Sequence, residues 1–99
     1  MGKHLNNVRC RVNDNNRDAF VSALKSFDKT NYIGVLSYQI VDCGEGKVCT
    51  TVVWESQDDL IEARPMLIEF LDSVRPLLEE ISPELGVTDS VSGEIILES

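Results

Sequence analysis

Cys10, Cys43 and Cys49 carry the most reactive side chains of this chain, and their spacing is wrong for shared chemistry. There is no CxxC pair, the count is odd and His4 is the sole histidine, so no zinc set assembles and no metal site is expected. Cys43 and Cys49 flank a glycine-rich turn and face each other only across a loop Glu45-Gly46-Lys47; in a reducing compartment they are expected as thiols. Cys10 alternates with Val8 and Val12 and reads as a small buried hydrophobe. Asp58-Asp59 and Glu79-Glu80 are adjacent on helical stretches, so the members of each pair point apart and read as solvated surface rather than an acid–base dyad. His4 lies in a terminal segment expected to be loosely ordered, a poor place for a catalytic base. No motif carries a reaction on its own.

The charge balance narrows the partners. The chain has 99 residues and a formal net charge of −8. Residues 1–49 hold seven basic and five acidic groups, and residues 50–99 hold two basic and twelve acidic. A basic face for duplex nucleic acid is missing, and an anionic membrane surface is disfavoured for the same reason. The acidic groups read as the solvated outer side of a second helix and tail. No apolar run approaches the ~20 residues of a membrane span. The opening Met1-Gly2-Lys3-His4-Leu5-Asn6-Asn7 lacks an apolar leader, so a cytoplasmic protein is expected. The length and the 42% apolar share imply one domain over 1–99.

The elements that must position any site follow from hydrophobic periodicity. Val8, Cys10 and Val12 alternate with Asn7, Arg9 and Arg11, so residues 5–13 read as a strand with one apolar face. Asn13 to Asn16 offer a helix cap, and Phe20, Ala23, Leu24 and Phe27 at helical spacing predict a helix over 15–27. Residues 33–42 are rich in β-branched and aromatic types and predict a strand; Gly44 and Gly46 suit a hairpin to a return strand from Val48 to Glu55. Ser56 then caps a long helical stretch whose stripe is Leu60, Leu67, Leu71, Val74, Leu78 and Ile81. Pro65 and Pro76 remove N–H donors, so breaks are expected near Arg64 and Arg75. Ile95 and Leu97 predict a last strand at 92–98.

This order, β-α-β-β-α-β, predicts an α+β class and a ferredoxin-like sandwich with both helices on one sheet face. The opposite face would carry Arg9 and Arg11 beside Glu94 and Glu98, which are expected to pair. The hairpin strands are apolar on both faces, so the open face is expected to bury itself against a second copy, as a homodimer.

The Gly-turn hairpin, the strand end Trp54-Glu55-Ser56 and the long broken acidic helix resemble the dimeric α+β barrel superfamily, in its antibiotic-biosynthesis-monooxygenase-like branch. The resemblance implies two ferredoxin-like sheets packed face to face as a homodimer. It implies no single function, because the superfamily includes cofactor-free oxygenases, haem-degrading enzymes, isomerases and proteins without known activity. Haem-degrading members use a first-strand Asn, a place Asn6 can fill, and an aromatic and a His on the second helix. Residues 57–81 contain neither His nor Trp, so His-ligated haem degradation is not implied and no cofactor is expected. Quinone-type oxygenases need an apolar pocket between sheet and helices with a few polar groups, which Asn6, Tyr38 and Trp54 could supply. The plainer roles are packing for Trp54 and Tyr38 and a strand-end polar group for Asn6.

The resulting expectation is a small homodimeric domain that binds a small apolar or aromatic molecule without catalysis, with Asn6, Tyr38 and Trp54 at the ligand. The alternative is a cofactor-independent monooxygenase of the antibiotic-biosynthesis type. Hairpin parity bears on both readings. An even loop groups Trp54 with Val35, Ser37 and Gln39, whereas an odd one groups it with Leu36, Tyr38 and Ile40 and gives an aromatic-lined site; the second grouping is the expected one.

Overall fold

A computed structural model describes residues 2–99. The chain forms β1 (His4–Arg11), α1 (Asp14–Lys25), β2 (Val35–Gly44), β3 (Lys47–Trp54), α2 (Gln57–Val74) and β4 (Thr88–Glu94). The strands make one antiparallel sheet in the order β2-β3-β1-β4. This is the α+β ferredoxin-like arrangement that the order of hydrophobic patterns predicts.

Local chemistry explains each element. Asn13 caps α1, its Oδ1 accepting from the Asn16 N–H at 3.0 Å. Ser56 caps α2 in the same way, its Oγ accepting from the Asp59 N–H at 3.2 Å, with Asp58 and Asp59 at the positive end of the helix dipole. On β1 the alternation places His4, Asn6, Val8 and Cys10 toward the helices and Leu5, Asn7, Arg9 and Arg11 on the outer face. Two-residue turn geometry closes the β2–β3 hairpin, with Glu45 at φ 55° and Gly46 at φ 77°. Gly46 is required there twice over. Its φ is left-handed, and a Cβ would come within 2.6 Å of the Val12 carbonyl oxygen. The same close approach lets the Val12 N–H donate to the Gly46 carbonyl at 2.8 Å, which pins the turn to the end of β1.

The hairpin loop is even, yet Trp54 shares the helix-side face with Tyr38 and Ile40. A bulge at Cys43 is the cause. It shifts the register so that Asp42 opposes Val48, Ile40 opposes Thr50 and Tyr38 opposes Val52; a second shift at Leu36 brings Val35 opposite Trp54. Tyr38 and Ile40 of the expected grouping therefore join Trp54 through a bulge and not an odd loop, while Val35 takes the place expected for Leu36, which is exposed. The bulge also places Cys43 Sγ 3.9 Å from Cys49 Sγ, although the loop is Glu45-Gly46 rather than Glu45-Gly46-Lys47. Both cysteines are free thiols.

Three expectations need correction. First, of the two expected breaks only the one near Arg75 occurs: α2 runs unbroken through Pro65 and stops at Val74, where Arg75–Leu77 tighten into a 3₁₀ turn holding Pro76. The carbonyl that loses its donor belongs to Ile61, and Ile61 and Pro65 both lie on the exposed side, where water can take the place of the missing N–H. Second, β4 spans Thr88–Glu94 and not 92–98; Ile96 and Leu97 are 92% and 83% exposed. The residues of β4 on the helix side are Thr88, Ser90, Ser92 and Glu94, which was expected on the other face, so this side has no apolar alternation to read. Third, Arg9 pairs with Asp89 at 2.9 Å, because register sets these two opposite each other. Glu98 pairs with Lys3 instead, and Glu94 accepts from the Gly2 N–H.

His4, expected in a loose terminus, is buried on β1 opposite Trp54. Among the described residues, no helix is long and apolar enough to cross a membrane.

Candidate functional site

The buried core falls into two groups. Cys10, Val12, Phe20, Leu24, Val48 and Val74 make one; Val52, Trp54, Leu60 and Ala63 make the other. Between them lies a cavity of about 340 Å³, bordered by members of both. Its floor is the sheet, through Asn6, Val8 and Cys10 of β1, Tyr38 of β2 and Thr50 and Val52 of β3. Its roof is helical, with Phe20 and Leu24 from α1 and Leu60, Leu67, Phe70 and Leu71 from α2, and Phe27 after α1 completes it. Arg64 and Ile68 of α2 and the serines Ser90 and Ser92 of β4 also border it.

The aromatic wall is continuous. The Phe27 ring centroid is 4.5 Å from that of Tyr38, 4.7 Å from Tyr32 and 6.0 Å from Phe70. Tyr32 in turn meets Trp54 edge-on at 6.5 Å. Tyr38 is fixed in this wall by its hydroxyl, which donates to the Leu24 carbonyl at 3.1 Å. Burial pushes its phenol up to about 12. Burial likewise pushes the Cys10 thiol up to about 11, with Arg75 opposing the shift. Both groups are therefore protonated at neutral pH, and neither accepts a proton readily from a bound molecule.

Of the three residues singled out from sequence, the structure places Asn6 and Tyr38 in the cavity wall. Trp54 does not reach it. The indole is fully enclosed and packs against Tyr32, and it meets the cavity only through Asn6: its Nε1–H donates to Asn6 Oδ1 at 2.7 Å. Trp54 thus orients the amide from behind, while Phe27, Phe70 and Leu67 supply the apolar lining.

Sequence reasoning missed Arg64 and the two serines as site residues. Arg64 stands next to Pro65, and the break expected there hid its position on a continuous helix. Ser90 and Ser92 lie on a strand whose register was misplaced. Phe27, Leu67 and Leu71 were visible as stripe residues, but nothing in a helical stripe says that it lines a void. Among the described residues, no cluster of three or more His, Cys, Asp or Glu side chains is arranged to hold a metal ion.

The architecture recurs in solved structures. A protein of Nitrosomonas europaea provisionally described as an antibiotic biosynthesis monooxygenase superposes with a TM-score of 0.76 at 13% identity, over 97% of this chain and 93% of that one. The fold is ferredoxin-like. A variant of SnoaB, a cofactor-independent oxygenase from Streptomyces nogalater, gives 0.75 at 12% identity, over 99% and 97%. A dimeric ferredoxin-like protein from an uncultured marine organism gives 0.74 at 12% identity, over 100% and 92%. One of these neighbours is provisionally described as an antibiotic biosynthesis monooxygenase, the kind of protein that the hairpin and strand end resemble. At such identities they establish the shared fold, while function rests on the site. No family model and no curated protein matches the chain significantly.

Proposed function

We propose that this chain is a single-domain, homodimeric ligand-binding protein of the cytoplasm that takes a small apolar or aromatic molecule between sheet and helices without transforming it. The observation that carries this reading is the cavity of about 340 Å³ with its Phe20, Phe27, Tyr38 and Phe70 wall. Small-molecule sites are typically concave, mostly apolar and set with a few polar groups, and this one has that character. Asn6 and Tyr38 serve as contact residues, and Trp54 holds Asn6. No group at the cavity favours the oxygenase alternative. A net charge of −8 argues against nucleic acid and anionic membrane as partners. The dimer is supported by the apolar outer sheet face and by the dimeric neighbour of the same fold.

The test is a titration with N-phenyl-1-naphthylamine, a neutral aromatic fluorophore. Saturable binding of one molecule per chain is expected, and Leu71→Trp, which fills the cavity from α2, removes it while circular dichroism keeps the native signature. Absence of saturable binding, or binding indifferent to Leu71→Trp in a folded variant, overturns the reading.

A further inference from the structure

The apolar cavity has polar groups at its border, and two of them, Asn6 and Arg64, present unspent donors. Tyr38 spends its O–H on the Leu24 carbonyl and keeps an oxygen that accepts. Asn6 Oδ1 already accepts the indole N–H of Trp54. The other half of that amide, Nδ2, has no partner among the described residues, and it is not one of the sealed, unsatisfied polar atoms, of which there are none. Asn6 is only half-buried and lines the cavity, and its amide N–H groups keep accessible surface. Arg64 supplies the second donor. It borders the same cavity from α2, and among the described residues it joins none of the ion pairs, which engage Lys3, Arg9, Arg17 and Arg75. A guanidinium offers five N–H donors and accepts nothing. The Cys10 thiol is protonated. Thr50, Ser90 and Ser92 can donate or accept.

We infer that the ligand is an organic acid: an aromatic or aliphatic body held in the apolar cavity, with one carboxylate directed to Arg64 and the Asn6 amide. This rests on the proposed ligand-binding reading and deepens it. The inference follows from the inventory. A neutral hydrocarbon leaves Asn6 Nδ2 without a partner and strips water from it, and a cation meets Arg64 with like charge. A carboxylate satisfies both donors at once, and a guanidinium–carboxylate pair is charge-assisted and geometrically selective. Trp54 has a part in this without touching the ligand. Its grip on Oδ1 fixes which end of the amide faces the cavity.

The experiment compares 2-naphthoate with its neutral counterpart 2-naphthamide by isothermal titration, on the native chain, on Arg64→Met and on Arg64→Lys. The naphthoate is expected to bind at least about tenfold tighter than the amide, in keeping with a hydrogen bond to a charged group. Arg64→Met removes that advantage by weakening the naphthoate far more than the amide, whose carbonyl loses only a neutral acceptor's bond, and Arg64→Lys restores part of it. If the native chain binds both probes equally, or if Arg64→Met weakens both alike, the acid assignment is wrong while the ligand-binding reading stands. If neither probe binds the native chain, both fall together.

Discussion

Asn6 and Cys10 share the helix-side face of β1, and each shows how its surroundings set what a side chain can do. Asn6 would be an ordinary strand residue were Trp54 not opposite the neighbouring position with its N–H aimed at Oδ1. Cys10, 5% exposed, keeps its proton because a thiolate there has no water and faces mostly hydrocarbon. That has a consequence for stability. The folded thiol titrates at about 11 against an ordinary value of 9.0, so both states are protonated below pH 9 and the contribution is fully present there. Above pH 9 the unfolded chain loses its proton first, and stability falls until the folded thiol also ionises near pH 11. The loss is at most roughly 2–3 kcal/mol for this one group. Urea unfolding at pH 8, 9, 10 and 11 should show the decline, and Cys10→Ala should flatten it. The part due to Tyr38, raised from 10.0 to about 12, persists in that variant at the alkaline end. A slope unchanged by Cys10→Ala would mean that the thiol is hydrated in the folded protein.

At the scale of elements, α2 is the informative case, because it holds a proline that sequence rules place at a break. The helix keeps its course since its inner side is fixed by burial of Leu60, Ala63 and Val74, while the orphaned Ile61 carbonyl sits on the wet side. Proline is still the poorest residue for that place. Pro65→Ala restores the missing N–H and should stabilise the protein, by up to about 3 kcal/mol if the helix is otherwise unchanged. Chemical denaturation measures this, and a variant no more stable than the native chain would show that the surrounding helix has adapted fully to proline. The same contrast decides what could be read in advance. β1, α1, β2 and β3 were legible because their inward residues are apolar at period 2 or 3.6, and the turn announced itself through Gly44 and Gly46. β4 was not, since Thr88, Ser90 and Ser92 face inward and the apolar run Ile95-Ile96-Leu97 lies beyond it. The bulge at Cys43 left no mark in the hydrophobic pattern, yet it decides which face Tyr38 occupies. Asn6 could therefore be placed on the inward face from sequence, whereas Tyr38 depended on the bulge, Arg64 on helix continuity and the serines on register.

For the whole molecule, the two faces of the sheet have different needs. The helices cover one. The other carries Leu5, Val41, Val53 and Val91 among Asn7, Gln39 and Thr51, with Arg9, Arg11, Lys47 and Asp89 toward one end, and Val41 and Val91 stay 43% and 54% exposed. Ile96 and Leu97 lie open beside the sheet's β4 side, where the Ile95 N–H still donates to the Lys3 carbonyl at 2.8 Å. Burying this surface against a second copy satisfies a two-fold arrangement in which each chain offers the same patch. A stable pair would remove on the order of 1,600 Å² from water. Charge works the other way, because each copy brings a net −8. The dimer should accordingly tighten as salt rises toward physiological strength, since screening weakens repulsion between the copies and leaves hydrophobic burial intact. Sedimentation equilibrium at micromolar chain should give twice the 11.0 kDa of one chain. Val53→Glu, a charge among the apolar residues at the C-terminal end of the β3 outer face, should shift the population to monomer while leaving circular dichroism unchanged, because that side chain points away from the helices. A native chain sedimenting at 11.0 kDa under these conditions, or a Val53→Glu variant that pairs as tightly as the native one, would place the covering of this face elsewhere.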